Sequence, residues 1–172
     1  AHLGGRDGVV VTAGLFATQE QLEAEPALRR RLLEVDFVRT VEFCEAARER
    51  LLARGGGTLC VFGSVAGDRG RKPVVLYGAA KAGLLNLTES LAMEWGPDRI
   101  RVNALIVGLI ATENSLAHYG GSAGTGRIGR MLPLQRMGTP DDVAETCLFL
   151  ASPSAAYISG ARLAVHGGGE KP

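Results

Sequence analysis

The stretch from Thr58 to Trp95 reads TLCVFGSVAGDRGRKPVVLYGAAKAGLLNLTESLAMEW and decides the fold. It opens on a short apolar run, Thr58 to Phe62, which follows three glycines and is typical of a buried strand. Its second half predicts a helix, because apolar side chains recur there at helical spacing: Leu84, Leu87, Leu91 and Trp95. A strand followed by such a helix is the repeating unit of parallel sheets whose faces are covered by helices.

The same alternation continues on both sides of this stretch. Three further apolar runs are predicted as strands: Val9 to Thr12, Ile100 to Val107 and Ala161 to Val165. An amphipathic helix ending near Gly55 is predicted from apolar residues at helical spacing: Phe37, Val41, Cys44 and Leu51. A last helix has Thr139 as its N-cap and Pro140 as its first residue, and the pair Ser152-Pro153 ends it. The alternation predicts an α/β fold with a doubly wound parallel sheet, in a single domain of residues 1–172.

The composition fits an ordinary globular protein with a core of its own. The 172 residues are 46% hydrophobic and 22% charged, and 19 Lys and Arg against 18 Asp and Glu leave a formal net charge of +1. This balance gives no field that would gather nucleic acid or an anionic membrane, and the run Arg29 to Arg31 is interpreted as a solvated helix face. The longest apolar stretch, Ala104 to Ala111, is too short to span a bilayer, and the first residues do not resemble a signal peptide. We therefore predict a cytoplasmic protein without nucleic-acid or membrane partners.

The cysteines and histidines predict neither a disulfide framework nor a metal site. The cysteines are widely spaced and form no Cys-x-x-Cys pair, which favours reduced thiols in the core: Cys44, Cys60 and Cys147. The three histidines are not spaced with a carboxylate or a thiol in the manner of a metal site.

A possible proton-transfer pair lies on the helix of the deciding stretch. Tyr77 and Lys81 are four residues apart, so they share one helix face and the phenol lies beside the ammonium. The positive charge favours the phenolate and is expected to lower the pKa of Tyr77, which makes this residue a candidate proton donor or acceptor near neutral pH. Ser64 stands 13 residues before Tyr77 and directly after a predicted strand. Strand ends are where open α/β sheets bind their ligands.

These residues resemble the short-chain dehydrogenase/reductase family, in which a serine lies 13 residues before the tyrosine of a Tyr-x-x-x-Lys motif. The resemblance covers nearly the whole chain and implies a Rossmann-like fold. Further segments match in family order: Val11-Thr12-Ala13-Gly14, Val35-Asp36-Phe37, Arg101-Val102-Asn103-Ala104, and Pro133 to Ala144. The stretch from Val107 to Thr112 corresponds to the family's Pro-Gly-x-x-x-Thr segment, which contacts the nicotinamide end of the cofactor.

The resemblance implies an oxidoreductase that transfers a hydride between NAD or NADP and a small-molecule carbonyl or alcohol. Tyr77 would be the general acid/base, Ser64 would hydrogen-bond the reacting oxygen, and Lys81 would hold the nicotinamide ribose and tune Tyr77. The implied cofactor contacts are on the nicotinamide side: Ala13, Gly14, Tyr77, Lys81, Gly108, Ile110 and Thr112.

Several residues depart from the family pattern, among them Val11 and Thr12, which replace two asparagines at the end of the first predicted strand. Asp36 stands at the fourth catalytic position, where the family has Asn; it can accept hydrogen bonds but cannot donate them, and its charge could pair with Lys81. Val107 replaces a proline of the cofactor loop, and His166 replaces an aspartate, which we interpret as a change in packing or subunit contact. Asp36, Val107 and the lack of a glycine-rich phosphate turn motivate an alternative function, that of a catalytically impaired oligomerisation or binding subunit. The intact Ser64, Tyr77 and Lys81 favour an enzyme.

The family begins with a strand, a glycine-rich turn that seats the pyrophosphate, and a second strand that selects NAD or NADP. The 172 residues contain none of these, so they are expected to form the catalytic and substrate-binding part, lacking the N-terminal βαβαβ half. The glycine-rich segment from Gly121 to Gly126 follows no strand and is interpreted as a flexible lid. The segments Asp68 to Val75 and Thr112 to Gly126 are expected to line the substrate pocket.

By the same resemblance we expect a homo-oligomer, a tetramer or a dimer. Two predicted helices, Val38 to Arg54 and Leu76 to Trp95, correspond to the family's dimer-forming pair. The predicted strand Ala161 to Val165 corresponds to the second interface.

Overall fold

The computed structural model of the protein describes residues 7–169. Its single sheet has four parallel strands, whose order in space is the order along the chain: β1 (Asp7–Val11), β2 (Gly57–Phe62), β3 (Ile100–Val107) and β4 (Arg162–Val165). The register sets Val9 opposite Leu59, and Leu59 opposite Val102. All four predicted strands and the doubly wound parallel sheet are therefore confirmed, with small shifts at the strand ends.

Helices cover both faces of the sheet. On one face, α3 (Arg39–Ala53) and α5 (Val75–Trp95) pack on the side chains of Leu59 and Val61. On the other, α8 (Pro140–Ala151) packs on Cys60, which points the opposite way because successive strand residues alternate. This double cover explains why the strand sequences are apolar throughout rather than alternating.

The signals that predict α8 act as expected. Thr139 is the N-cap, its hydroxyl accepts a hydrogen bond from the Asp142 N–H at 3.2 Å, and Pro140 is the first helical residue. The helix ends at Ala151, immediately before the pair Ser152-Pro153, and a short 3-10 turn follows.

The thiols are buried and free, as the spacing predicts, but two of them are neighbours in space. Cys60 on β2 and Cys147 on α8 are hydrogen-bonded to each other, which lowers the pKa of Cys147 and, together with burial, raises the pKa of Cys60. Burial raises the pKa of Cys44 to about 11. These thiols therefore act as packing groups in the core.

Between β1 and α3 the chain forms two short helices. The sequence patterns did not predict α1 (Gln19–Ala24), whereas α2 (Pro26–Leu33) contains the basic run that was interpreted as a helix face. The basic run Arg29 to Arg31 is exposed on α2, as predicted. A π-helical turn, Glu34–Val38, then leads into α3 and carries Asp36 fully inside the protein. Such turns occur often at functional sites because they redirect a side chain that a regular helix would point elsewhere.

The segment interpreted as a flexible lid is helical. A short helix, α4 (Val65–Asp68), precedes α5. After β3 the chain forms α6 (Glu113–His118), turns at Gly120 and forms α7 (Gly121–Met131). Glycine suits this segment for packing reasons: a Cβ on Gly129 would lie 3.1 Å from the Arg136 Cα, and one on Gly124 would overlap the Tyr119 carbonyl oxygen. The sequence patterns did not predict this helix, because glycine has a low helix propensity; here the glycines allow close approach of other segments.

Across residues 7–169, no helix has both the length and the apolar character needed to cross a bilayer.

Candidate active site

The predicted functional residues gather at the carboxyl ends of the parallel strands. Gly14 follows β1, Ser64 follows β2 and Gly108 follows β3. A cavity of about 470 Å³ opens beside them, and five of the predicted residues line it: Ser64, Tyr77, Gly108, Ile110 and Thr112. This is the edge at which open α/β sheets bind ligands.

Close packing of α4 on α5 sets Ser64 beside Tyr77. Ser64 is the N-cap of α4, and its hydroxyl accepts a hydrogen bond from the Ala66 N–H at 3.2 Å. A Cβ on Gly67 would lie 2.7 Å from the Lys81 carbonyl carbon, and a Cβ on Gly78 would lie 2.6 Å from the Ala66 carbonyl oxygen. The two backbones can therefore approach this closely only because both contact positions are glycines.

Tyr77 is half-buried, and its pKa is raised rather than lowered. Burial is the main cause, the negative charge of Asp36 adds to it, and a hydrogen bond with Ser64 opposes it. The expectation that Lys81 lowers this pKa was wrong. The ammonium lies 5.8 Å from the centre of the Tyr77 ring, but Asp36 neutralises it.

Asp36 and Lys81 form an ion pair beneath the cavity, with Oδ1 and Nζ 3.0 Å apart and side chains that are 0% and 5% exposed. Both carboxylate oxygens also accept from the Leu15 N–H at 3.2 Å, and Nζ donates to the Phe62 carbonyl oxygen at 3.4 Å. Burial raises the pKa of Asp36, against the opposing effects of Lys81 and the Leu15 N–H. The pairing of Asp36 with Lys81 suggested by the sequence is thus present.

Gly14 lies directly against this pair. A Cβ at this position would lie 3.0 Å from the Asp36 Oδ1 and 3.2 Å from the Lys81 Nζ. Any side chain here would crowd both charged groups, so the glycine leaves space for the ion pair.

An aromatic cluster that sequence patterns missed stands beside Tyr77. The Phe16 ring meets Tyr77 edge-on, with 5.3 Å between centroids, and meets His118 edge-on at 5.8 Å. His118 in turn contacts Tyr119 at 4.7 Å. The last two fall within the segment expected to line the pocket, but nothing in the sequence distinguishes Phe16 from an ordinary apolar residue.

Other predicted residues lie apart from the cavity. Ala13 lines a separate cavity near Val35 and Phe43, and the Asp36–Lys81 pair does not line the main one. Both segments expected to line the pocket contribute only part of their length. The second, Thr112 to Gly126, lines it only as far as Tyr119. His166 packs on Gly108, whose Cβ would lie 2.5 Å from the His166 Cβ, which agrees with its interpretation as a packing change.

The described residues contain no candidate metal site. Among residues 7–169, no group of three or more His, Cys, Asp or Glu side chains is placed to coordinate one.

Comparisons with known proteins identify the family of this chain. The family model described as Enoyl-(Acyl carrier protein) reductase matches residues 1–170. Carbonyl reductase family member 4 of Xenopus tropicalis is 35% identical over 167 residues, which cover 97% of this chain and 68% of the relative.

Two solved structures are similar across almost all of this chain. An oxidoreductase of the short chain dehydrogenase/reductase family from Burkholderia thailandensis has a TM-score of 0.82 at 35% identity, covering 94% of this chain and 63% of its own. A candidate 2-deoxy-D-gluconate 3-dehydrogenase from Agrobacterium tumefaciens, solved with bound NADP, has a TM-score of 0.85 at 32% identity, covering 94% and 66%. The chain thus spans about two thirds of the length of these proteins. Because the family model matches residues 1–170 and these relatives are similar over almost the whole chain, the chain belongs to the short-chain dehydrogenase/reductase family.

Proposed function

We propose that the protein is an oxidoreductase that transfers a hydride between NAD or NADP and a small-molecule carbonyl or alcohol, with Tyr77 as general acid/base. The observation that carries this proposal is the hydrogen-bonded contact of Ser64 with Tyr77 at a cavity beside the strand ends. The bound NADP of the Agrobacterium neighbour supports a nicotinamide dinucleotide as cofactor.

The cavities at the strand ends fit such a cofactor. A second cavity, of about 610 Å³ and lined mostly by apolar side chains, shares Val107, Ile110 and Thr112 with the first. An extended ligand can therefore lie across the ends of the strands with one end beside Tyr77. When bound, NAD or NADP would supply or accept the hydride. Ala13, Gly14, Gly108, Ile110 and Thr112 are the residues proposed to contact its nicotinamide side.

The raised pKa of Tyr77 suits proton donation. At neutral pH the phenol keeps its proton, and it can give that proton to a carbonyl oxygen while the carbon is reduced. The Ser64 hydroxyl donates a hydrogen bond to the same oxygen and stabilises the charge that develops there. In the reverse direction Tyr77 must first lose its proton, so alcohol oxidation requires a higher pH.

Lys81 keeps one donor for the cofactor. An ammonium has three N–H donors, and among the described residues two have acceptors here, Asp36 and the Phe62 carbonyl. The third is proposed to hold a hydroxyl of the nicotinamide ribose.

We also propose that the protein is a homo-oligomer through α3 and α5. Large apolar side chains on these helices are exposed, among them Phe43 at 51% and Met93 at 77%. An alternative function is that of an impaired subunit that only supports such an assembly. It is favoured by one observation: Asp36 pairs with Lys81, and its negative charge raises the pKa of Tyr77.

Activity of the full-length protein separates the two functions. We expect NADPH- or NADH-dependent reduction of a panel of ketones and aldehydes by the wild type, with turnover abolished in Tyr77→Phe while cofactor binding is kept. Ser64→Ala should lose about 100-fold or more in kcat, as expected for one donor to the developing charge. Turnover by Tyr77→Phe at the wild-type rate would contradict the assignment, and absence of turnover in the wild type with intact cofactor binding would favour the impaired subunit.

A further inference from the structure

The charged side chains that line the cavity beside Ser64 and Tyr77 are all basic among the described residues. Arg71 and Lys72, which precede α5, line one side of it, and His118 of α6 also lines it. No Asp or Glu side chain is among the described residues that line this cavity. Since the whole chain has a net charge of only +1, the positive charge here is a local property.

Neither cation has a carboxylate partner among the described residues. Within residues 7–169, Arg71 and Lys72 form no ion pair, whereas many of the other basic side chains do: Arg39, Arg48, Arg54, Lys81, Arg136 and Arg162. Arg71 is also half-buried, so its guanidinium has lost part of its contact with water. A partly desolvated cation at the wall of a cavity attracts an anion more strongly than one on an open surface.

The rest of the cavity is apolar or aromatic. Phe16, Val65 and Leu109 line it, and its volume of about 470 Å³ is that of a site for a small organic molecule. An anionic group held by Arg71 would therefore leave the remainder of a small molecule between apolar walls and the Tyr77 and Ser64 hydroxyls.

We propose that the substrate carries an anionic group, a carboxylate or a phosphate, which Arg71 and Lys72 bind while the carbonyl or alcohol carbon faces Tyr77. This inference rests on the proposed function, because it takes Tyr77 as the reacting end of the cavity. The planar guanidinium of Arg71 matches either anion with two parallel hydrogen bonds, and Lys72 adds a point charge. These two residues would thus select the substrate without taking part in proton transfer.

Binding of simple anions tests the inference without relying on turnover. In the full-length protein saturated with NADPH, calorimetry should show succinate binding at least about 10-fold more tightly than the uncharged succinamide, a free-energy difference of about 1.4 kcal/mol. Arg71→Gln and Lys72→Gln should each weaken succinate binding several-fold, whereas Arg30→Gln, which removes an exposed charge of α2, should not. Inorganic phosphate forms a second arm, and tighter binding of phosphate with the same dependence on Arg71 would identify the anion as a phosphate.

Equal binding of succinate and succinamide, or equal effects of Arg71→Gln and Arg30→Gln, would overturn the inference. Thermal unfolding of each variant checks that it folds, and Lys72→Gln, at an exposed position, provides a second variant if Arg71→Gln is unstable. In Tyr77→Phe, succinate should still bind more tightly than succinamide, because the preference depends on Arg71 and Lys72. The two proposals can therefore be tested independently. The titrations test the anion site, and the turnover of Tyr77→Phe tests the catalytic assignment.

Discussion

The Asp36 carboxylate lies 3.0 Å from the Lys81 ammonium, and both side chains are buried under the candidate active site. The two residues are 45 positions apart and come from different elements, the π-helical turn before α3 and the first half of α5. The pair therefore connects the packing of these elements with the electrostatic environment of Tyr77.

Asp36→Asn is expected to lower the pKa of Tyr77, because it removes a negative charge that disfavours the phenolate and leaves Lys81 unneutralised. Alcohol oxidation needs the phenolate, so the rising limb of its profile of kcat against pH should move to lower pH. Carbonyl reduction needs the phenol, so the pH above which its rate falls should be lower than in the wild type. Both profiles are measured in the full-length protein. The control is Asp141→Asn, which removes an exposed carboxylate from α8. Superimposable profiles for Asp36→Asn and the wild type would contradict this prediction.

Lys81→Met is expected to destabilise the fold by about 3–5 kcal/mol, because it leaves the Asp36 carboxylate buried without its partner. Adding Asp36→Asn should recover part of this loss, since a neutral amide needs no counter-ion. Urea unfolding of the two single variants and the double variant gives the coupling between the residues. Additive effects would mean that the two groups do not interact energetically.

The main parts of the fold could be predicted from local patterns. The buried strands were readable because both of their faces are apolar, and α8 because Thr139 and Pro140 mark its start. The spacing of Tyr77 and Lys81 likewise follows from helix geometry alone. Each of these features depends on residues that are close in sequence.

What the sequence did not reveal depends on contacts between distant residues. The pKa of Tyr77 reflects burial and the charge of Asp36, neither of which the Tyr-x-x-x-Lys spacing contains. The helix α7 was missed because its glycines were taken as a sign of flexibility, whereas Gly124 and Gly129 fit against backbone from other segments. A glycine count does not distinguish these two uses.

Gly78→Ala is expected to push α4 away from α5, because its Cβ would lie 2.6 Å from the Ala66 carbonyl oxygen. The resulting strain should cost about 1–3 kcal/mol in unfolding free energy. Turnover should fall more than cofactor affinity, since Ser64 at the start of α4 would move relative to Tyr77. Gly70→Ala is the matched control, because no atom lies within 4 Å of its Cβ position. Equal stability and turnover in the two variants would show that close approach at Gly78 is not required.

Phe16→Ala is expected to change the ionisation of Tyr77 without unfolding the protein. Phe16 is 52% exposed, so its removal should have little effect on the core, but its ring covers Tyr77 edge-on at 5.3 Å. Burial is the largest cause of the raised Tyr77 pKa, so admitting water at this ring should lower it and move the alcohol-oxidation profile to lower pH. Loss of the edge-on contact itself should cost only about 0.5–1.5 kcal/mol.

The control for this substitution is Phe149→Ala, which removes a similarly exposed ring, 43% exposed, from α8. Ultraviolet titration of the tyrosines, compared between Phe16→Ala and Phe16→Ala with Tyr77→Phe, assigns any shift to Tyr77. The direction of the shift is the same as in Asp36→Asn, but the cause differs: one variant changes solvation and the other changes charge. A Tyr77 titration in Phe16→Ala that coincides with the wild type would show that other residues bury the phenol.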